Sequence, residues 1–493
     1  MKTRSSRPPA SSSQTNPDAA ADMPNVLAAR YASTAMVECF SPRRKIVLER
    51  RLWLAVMRAQ IAQGVEIPAA AVDDYLAVVD RVDLASIDAR ERVTRHDVKA
   101  RIEEFNDLAG HQHVHKGMTS RDLTENVELM IAKEALGLVR DAMVASLDRL
   151  GRRAEEYRLL TIAGRSHNVP AQLTTVGKRI ATVADETLVA FSAIENLIER
   201  LPLRGIKGPV GTSQDMLELT GGRDGGVDAI EDAVASELGF ARRLDSVGQV
   251  YPRSIDFEIV SRLCQAASAP ANFAKTLRLM AGADLATEGF RPGQVGSSAM
   301  PHKMNARSAE RIGGLLHVLR GYVTMVGGLL GDQWNEGDVS CSVVRRVAIP
   351  DAFLAFDGQS ETYLHVLQDF GVYPAVVRRE IDRYLPFLAT TKILMAAIAA
   401  GLGRESAHEI IKEHAVATAL SMREKDTLDR SLVDRLAADE RLPLSADDLA
   451  RAIGDPDDLV GRSGEQVDAV LEKIASVTKR YPEAARYQPG SML

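Results

Sequence analysis

The feature that most restricts the fold is the length of the apolar periodicity in the middle of the chain. Apolar residues recur at helical spacing in long runs, roughly Arg121 to Tyr157, Pro170 to Arg200, Ser254 to Glu288, Asn305 to Leu330 and Val343 to Leu367. Each run far exceeds the mean helix of about 12 residues. Long amphipathic helices joined by Gly/Pro loops must bury their stripes on one another, which predicts a mainly α fold with a central long-helix bundle. Aromatic residues make up only 5% of the 493, so helix-on-helix packing is favoured over aromatic-rich sheets.

The remaining segments arrange themselves around that bundle. Residues 1–24 are rich in Ser, Pro and Ala without periodicity and read as a disordered tail. Residues 25–118 form a mostly helical N-terminal domain. Ser41-Pro42 opens its longest helix, Leu48, Leu52, Ala55, Val56 and Ala59 mark the apolar face, and Gly64 closes it. Residues 119–372 form the bundle domain. Glycines such as Gly205, Gly208 and Gly211 break it between Leu201 and Tyr251, where a connection with a short strand pair is expected. Residues 373–493 revert to shorter helices and read as a C-terminal all-α domain.

Several function classes are excluded. A net charge of −6 offers no global basic field for nucleic acid or an anionic membrane. The three cysteines lie far apart, so neither a disulfide framework nor a metal motif is expected, and a reducing cytoplasm suits them. The most apolar run, Ile393 to Leu402, is about half of the ~20 residues a membrane helix needs. No phosphate loop of the Walker type and no Gly-x-Gly-x-x-Gly fingerprint occurs, so no nucleotide cofactor is expected. His113 and His115 point apart on a helix and make no metal site.

Polar groups cluster where the helical pattern stops. The ten residues Gly296 to Asn305 hold Ser297, Ser298, His302 and Lys303 on a Gly- and Pro-framed loop, with Asn305 placed as the cap of the next helix. Arg30-Tyr31 precedes the first long helix, and Arg95-His96-Asp97 interrupts the N-terminal domain. Thr119 and Ser120 begin the longest run. They suit either an anion at a helix N-terminus or simple capping. His167 stands before Pro170, which opens the next run, and suits either proton transfer or a structural role. Arg307 and Arg311 share one helix side, and Arg345-Arg346 lies early in another helix. Arginines gathered at loops and helix ends of an acidic chain suggest a polyanionic small molecule.

Gly296 to Asn305 resembles the defining loop of the fumarase/aspartase superfamily. Within it, several stretches resemble the adenylosuccinate lyase branch: Arg30-Tyr31-Ala32-Ser33, Arg95-His96-Asp97-Val98, Gly117-Met118-Thr119-Ser120, Gly164-Arg165-Ser166-His167 and, more weakly, Leu385 to Thr391. The resemblance runs from Asn25 to the C-terminus. It implies three α-rich domains, a homotetramer whose sites draw on three subunits, no cofactor, no metal, and a reaction that splits fumarate from a succinylated purine nucleotide or its precursor. Ser297 is then the general base and His167 the general acid. Arg30, Tyr31, Arg311, Ser342 and Arg346 would hold the phosphate and ribose end. Thr119, Ser120, Lys303 and Asn305 would hold the succinyl carboxylates, and Arg95, His96, Asp97 and Gln249 would line the remainder. Lys303 and loop amides would help ionise Ser297, and the loop would close over substrate. The alternatives are a sister lyase acting on argininosuccinate, or a catalytically silent structural homologue. Two positions depart from the branch: Gly337 stands where an arginine is usual after Trp334-Asn335-Glu336, and Ala306 where proline is usual.

Overall fold

The computed structural model describes residues 24–289, 299–300, 302–425 and 431–490. The expected N-terminal tail, apart from Pro24, lies outside the described residues. So do Gly296, Ser297, Ser298 and Pro301 of the long loop, and with them the expectation that the loop closes over substrate.

The first helices follow their capping residues. The Asn25 side chain accepts the amides of Leu27 and Ala28 and starts α1 (Val26–Arg30). Ser33 caps α2 (Thr34–Cys39), and Ser41 followed by Pro42 caps α3 (Pro42–Ala62). Gly64, at φ +81°, turns the chain out of α3. Next come α4 (Ala69–Ala77), α5 (Leu84–Thr94) and α6 (Asp97–Ala109). They enclose Trp53, Tyr75 and Phe105, with the Tyr75 and Phe105 rings 4.8 Å apart.

The centre is built on α7 (Ser120–Glu156), which runs for 37 residues. A hairpin, β1 (Thr161–Ser166) and β2 (Val169–Thr175), leads into α8 (Val176–Arg200). Short helices α9 (Gln214–Leu219) and α10 (Gly226–Glu237) occupy the glycine-broken connection. The strand pair expected there is reduced to one parallel bridge, Leu203 to Arg243. Then follow α11 (Ser254–Ala266), α12 (Ser268–Gly282), β3 (Ala286–Thr287), α13 (Arg307–Gly327), α14 (Cys341–Asp369) and β4 (Gly371–Val372), which pairs with β3. Helix α14 packs on α13 and α7, and α7 packs on α8. One apolar core extends from Leu27 to Ala485. Among the described residues no helix is long and apolar enough to cross a membrane.

After α15 (Pro374–Leu388), the helices α16 (Thr390–Ala399), α17 (Arg404–Lys425), α18 (Ser431–Ala437) and α19 (Ala446–Ile453) enclose a second core around Ile393, Leu432 and Leu449. The chain then returns to the bundle, where α20 (Ser463–Arg480) lies on α7 and α8 and α21 (Pro482–Ala485) on α7.

Three expected helix boundaries differ from the structure. The run beginning at Pro170 opens as strand β2, and the helix starts only at Val176, capped by Thr175. His167 and Asn168, at φ +52° and +63°, form a two-residue turn that pairs Ser166 with Val169, so the residues beyond it extend as a hairpin. The run Ser254 to Glu288 is two helices, because Pro270 has no N–H and its ring crowds the carbonyl of residue 266. Asn305 does not cap α13. Ala306 holds that position, and the Glu288 carboxylate from before the loop accepts the amides of Ser308 and Ala309 at 3.1 and 3.0 Å.

Candidate active site

Helix α14 is buried almost all round from Ala352 to Leu367, yet Asp357, Gln359, Glu361 and His365 lie in that stretch. Buried polar groups require partners, and those of Asp357, Glu361 and His365 belong to segments that line a cavity. The cavity, about 480 Å³, is lined by Arg30, Tyr31, Arg311, Glu361 and Gln488 among others. The Arg311 guanidinium lies 5.4 Å from the centre of the Tyr31 ring. The close seating of Tyr31 depends on Gly358, where a Cβ would fall 2.6 Å from the Tyr31 Cβ. Beside it the Asp357 carboxylate accepts the Ser33 amide at 2.5 Å. Three of the five residues expected at the phosphate end thus meet in one cavity.

Burial pushes the Asp357 carboxyl up from 3.8 to about 6, against the Ser33 hydrogen bonds, which act to lower it. A carboxyl raised by folding stabilises fully below its unfolded value, and that contribution is lost as pH rises through the folded value. Asp357→Asn removes the ionisation and keeps an acceptor. The variant should gain on the parent by about 3 kcal/mol between about pH 4 and pH 7. Urea denaturation across that range checks this, and a parent that gains on the variant as pH rises would contradict it.

The other two expected phosphate contacts lie elsewhere. Ser342 and Arg346 occupy the first turns of α14, so Ser342 is about 24 Å of helix rise from Gly358. Arg346 is exposed and Ser342 half-buried. Its neighbour Arg345 is buried, with Nε 2.6 Å from Asp256 and Nη1 2.6 Å from Glu128. The Tyr251 hydroxyl donates to Asp256 at 2.6 Å, and Arg253 pairs with Glu125 at 3.0 Å. This ionic network fixes the start of α14 on α7 and α11. Within one chain, the five residues form two separate groups.

Arg95 ends α5 in the left-handed region, at φ +53°, and redirects the chain. His96 then caps α6, its Nδ1 accepting the Lys99 amide at 3.2 Å. An accepting Nδ1 leaves the proton of the neutral ring on Nε2. Burial acts to raise the Asp97 carboxyl, but Arg101, 3.2 Å away, and the Val98 amide hold it below the usual range. Of the nearby histidines, His115 accepts the Trp53 indole N–H at 3.1 Å, and burial pushes it down to about 4, so it is a neutral packing group.

Thr119 and Ser120 are half-buried at the start of α7, and the Thr119 amide donates to Asp122 Oδ2 at 2.8 Å. Asp122 Oδ1 also receives Arg204 at 2.5 Å and the Lys207 and Gly208 amides at 2.8 and 3.0 Å. Asp122 and Arg204 are fully buried. No local sequence signal marks this hub, because Arg204 and the loop amides come from a remote, glycine-rich segment. The Gln249 amide donates to the Glu336 carbonyl at 2.5 Å. Gly337, in the same turn, has φ +127°, and a Cβ there would meet Val250 at 3.1 Å. That conformation and crowding disfavour an arginine at the position.

His167 is exposed at the tip of the β1–β2 hairpin. The hairpin is anchored to the C-terminal helices by an ion pair between Arg165 and Glu380 and by Gln172 donating to Thr391 at 3.0 Å. Lys303 is exposed and Asn305 half-buried on the approach to α13, while Ser297 lies outside the described residues. No described residue among Arg95, His96, Thr119, Ser120, His167 and Lys303 lines the Arg30–Tyr31–Arg311 cavity.

The family described as Lyase matches residues 40–321, and the family described as Adenylosuccinate lyase C-terminus matches residues 386–470. The adenylosuccinate lyase of Saccharomyces cerevisiae is 32% identical over 452 residues, covering 91% of this chain and 93% of that one. The chain belongs to the adenylosuccinate lyase family. A second family member, from Schistosoma mansoni, is 31% identical over 453 residues, covering 91% of this chain and 94% of its own. The fold is that of a 3-carboxy-cis,cis-muconate lactonizing enzyme from Pseudomonas putida, with a TM-score of 0.78, 20% identity and coverage of 92% of this chain and 100% of that one. A fumarate lyase from Mesorhizobium sp. BNC1 matches with a TM-score of 0.76 at 20% identity, over 90% of this chain and 98% of that one. Membership of this family fits the mainly α architecture and a small-molecule substrate.

Proposed function

We propose that this protein splits adenylosuccinate into AMP and fumarate and, at the same site, splits the succinylated aminoimidazole carboxamide ribotide into AICAR and fumarate. The observation that carries this is the likeness to adenylosuccinate lyases over 91% of the chain. Ser297 takes the proton from the carbon next to a carboxylate. The C–N bond then breaks, the electron pair leaves with nitrogen, and His167 protonates that nitrogen. Thr119, Ser120, Lys303 and Asn305 bind the succinyl carboxylates and steady the charge that builds between the two steps. Arg30, Tyr31, Arg311, Ser342 and Arg346 hold the phosphate and ribose, and Arg95, His96, Asp97 and Gln249 line the rest.

The site is shared between subunits of a homotetramer built on the 119–372 bundle, with 25–118 and 373–493 as flanking domains. Supporting this, Ser342 and Arg346 are too far from Tyr31 in one chain to grip the same phosphate. Apolar side chains Val189, Val318, Met325, Val343 and Val347 are also exposed along α8, α13 and α14. A cytoplasmic location suits the three free cysteines.

The test is ultraviolet absorbance of purified protein with adenylosuccinate and, separately, with argininosuccinate. Conversion of the first alone is expected. Conversion of argininosuccinate alone, or of neither, would overturn the assignment.

A further inference from the structure

Glu361 is a buried carboxylate in the wall of the cavity shared by Arg30, Tyr31 and Arg311. An acid in that place opposes any anionic ligand. Both of its oxygens, however, are engaged by neutral donors. The Tyr487 hydroxyl donates to Oε1 at 2.7 Å, and the Gly490 amide donates to Oε2 at 2.8 Å. Both donors come from the segment that follows α21.

That segment is fastened at further points. Arg149 on α7 donates to the Tyr487 carbonyl at 2.7 Å and to Gln488 Oε1 at 3.2 Å. His365, one turn beyond Glu361, has Nε2 2.7 Å from the Gly490 carbonyl oxygen. One turn before Glu361, Asp357 holds the amide of Ser33, which also lines the cavity. Successive turns of α14 therefore tie down two chain segments that line the cavity. Burial and the adjacent Glu361 carboxylate hold the Tyr487 hydroxyl well above the usual tyrosine range, so it stays a donor.

We propose that the strap Tyr487–Gly490 is a substrate-positioning element: it closes one wall of the nucleotide end and donates to both oxygens of Glu361, so that this carboxylate repels the substrate phosphate less. The inference rests on the adenylosuccinate lyase reading, which supplies the phosphate. Tyr487 and Glu361 act through the cavity wall and need touch no reacting atom.

The experiment uses full-length Tyr487→Phe. The KM for adenylosuccinate and the inhibition constant for AMP should each rise about tenfold, the loss of one hydrogen bond to a charged group. Turnover and inhibition by fumarate, which lacks a phosphate, should stay within about twofold of the parent. Adding Glu361→Gln to Tyr487→Phe removes the exposed charge and should restore most of the AMP affinity, which a merely structural defect would not allow. Should Tyr487→Phe fail to fold, Gln488→Ala reads the same wall and should weaken AMP selectively. Unchanged AMP affinity, equal losses for AMP and fumarate, or no rescue by Glu361→Gln would overturn the proposal while leaving an active parent enzyme. A parent inactive on adenylosuccinate would overturn the underlying reading as well.

Discussion

His167→Asn should fold and assemble like the parent yet lose turnover by about two to four orders of magnitude, the usual worth of a positioned acid. Asparagine tolerates the left-handed backbone that His167 adopts at φ +52°, so the hairpin keeps its turn. The hairpin also holds through contacts away from the tip, namely the β1–β2 ladder, the Arg165–Glu380 pair and the Gln172–Thr391 hydrogen bond. An amide cannot protonate the leaving nitrogen. The measurement is kcat in the adenylosuccinate assay beside a thermal melt. A variant that keeps a large share of turnover would remove His167 from the mechanism. Because the site is proposed to be shared, inactive His167→Asn and Ser297→Ala subunits, dissociated and reassembled together, should recover some activity. Well-mixed tetramers that stay inactive would count against a shared site.

Asp122→Ala should be the most damaging single change to stability, at about 3–5 kcal/mol, the cost of leaving a buried charge without its partner. The Arg204 guanidinium is fully buried against Asp122, and the Lys207 and Gly208 amides share the same carboxylate. That loss is a large part of the roughly 5–15 kcal/mol that holds a typical folded protein. The double variant Asp122→Ala, Arg204→Met should recover part of it, because the stranded charge is gone. Urea denaturation of the two variants decides the matter, and a loss below about 1 kcal/mol for Asp122→Ala would show that the hub is not a main support. Surviving Asp122→Ala protein should also show a raised KM, since Asp122 anchors the turn that presents Thr119 and Ser120.

The parts of the fold written in local chemistry were legible. Ser41-Pro42 and Gly64 bound α3 as read, and four of the five long apolar runs became long helices, the run Ser254 to Glu288 being split in two. Where a distant group or a left-handed turn decided the outcome, the reading from periodicity failed. Asn305 was a plausible cap for α13, but Glu288 supplies the acceptors from the far side of the loop. Pro170 was a plausible helix start, but the left-handed pair His167-Asn168 folds the chain back first. Those two residues carry no apolar signal, so periodicity could not register them.

The candidate site divides along the same line. Arginines at helix ends of an acidic chain were readable as a signal for an anionic substrate, whereas the roles of Ser297 and His167 came only from the family resemblance. The grouping of these residues was not readable. The sequence by itself determined a mainly α chain of long helices and the motifs of the adenylosuccinate lyase family, since both depend on spacing within short windows. Only the tertiary structure decided that Tyr31 seats on Gly358, that Glu361 is covered by the strap from Tyr487 to Gly490, and that Ser342 stands far along α14 from Tyr31. Those relations join segments more than a hundred residues apart, and they arise when helices pack and each buried polar group takes the partner that packing brings within reach.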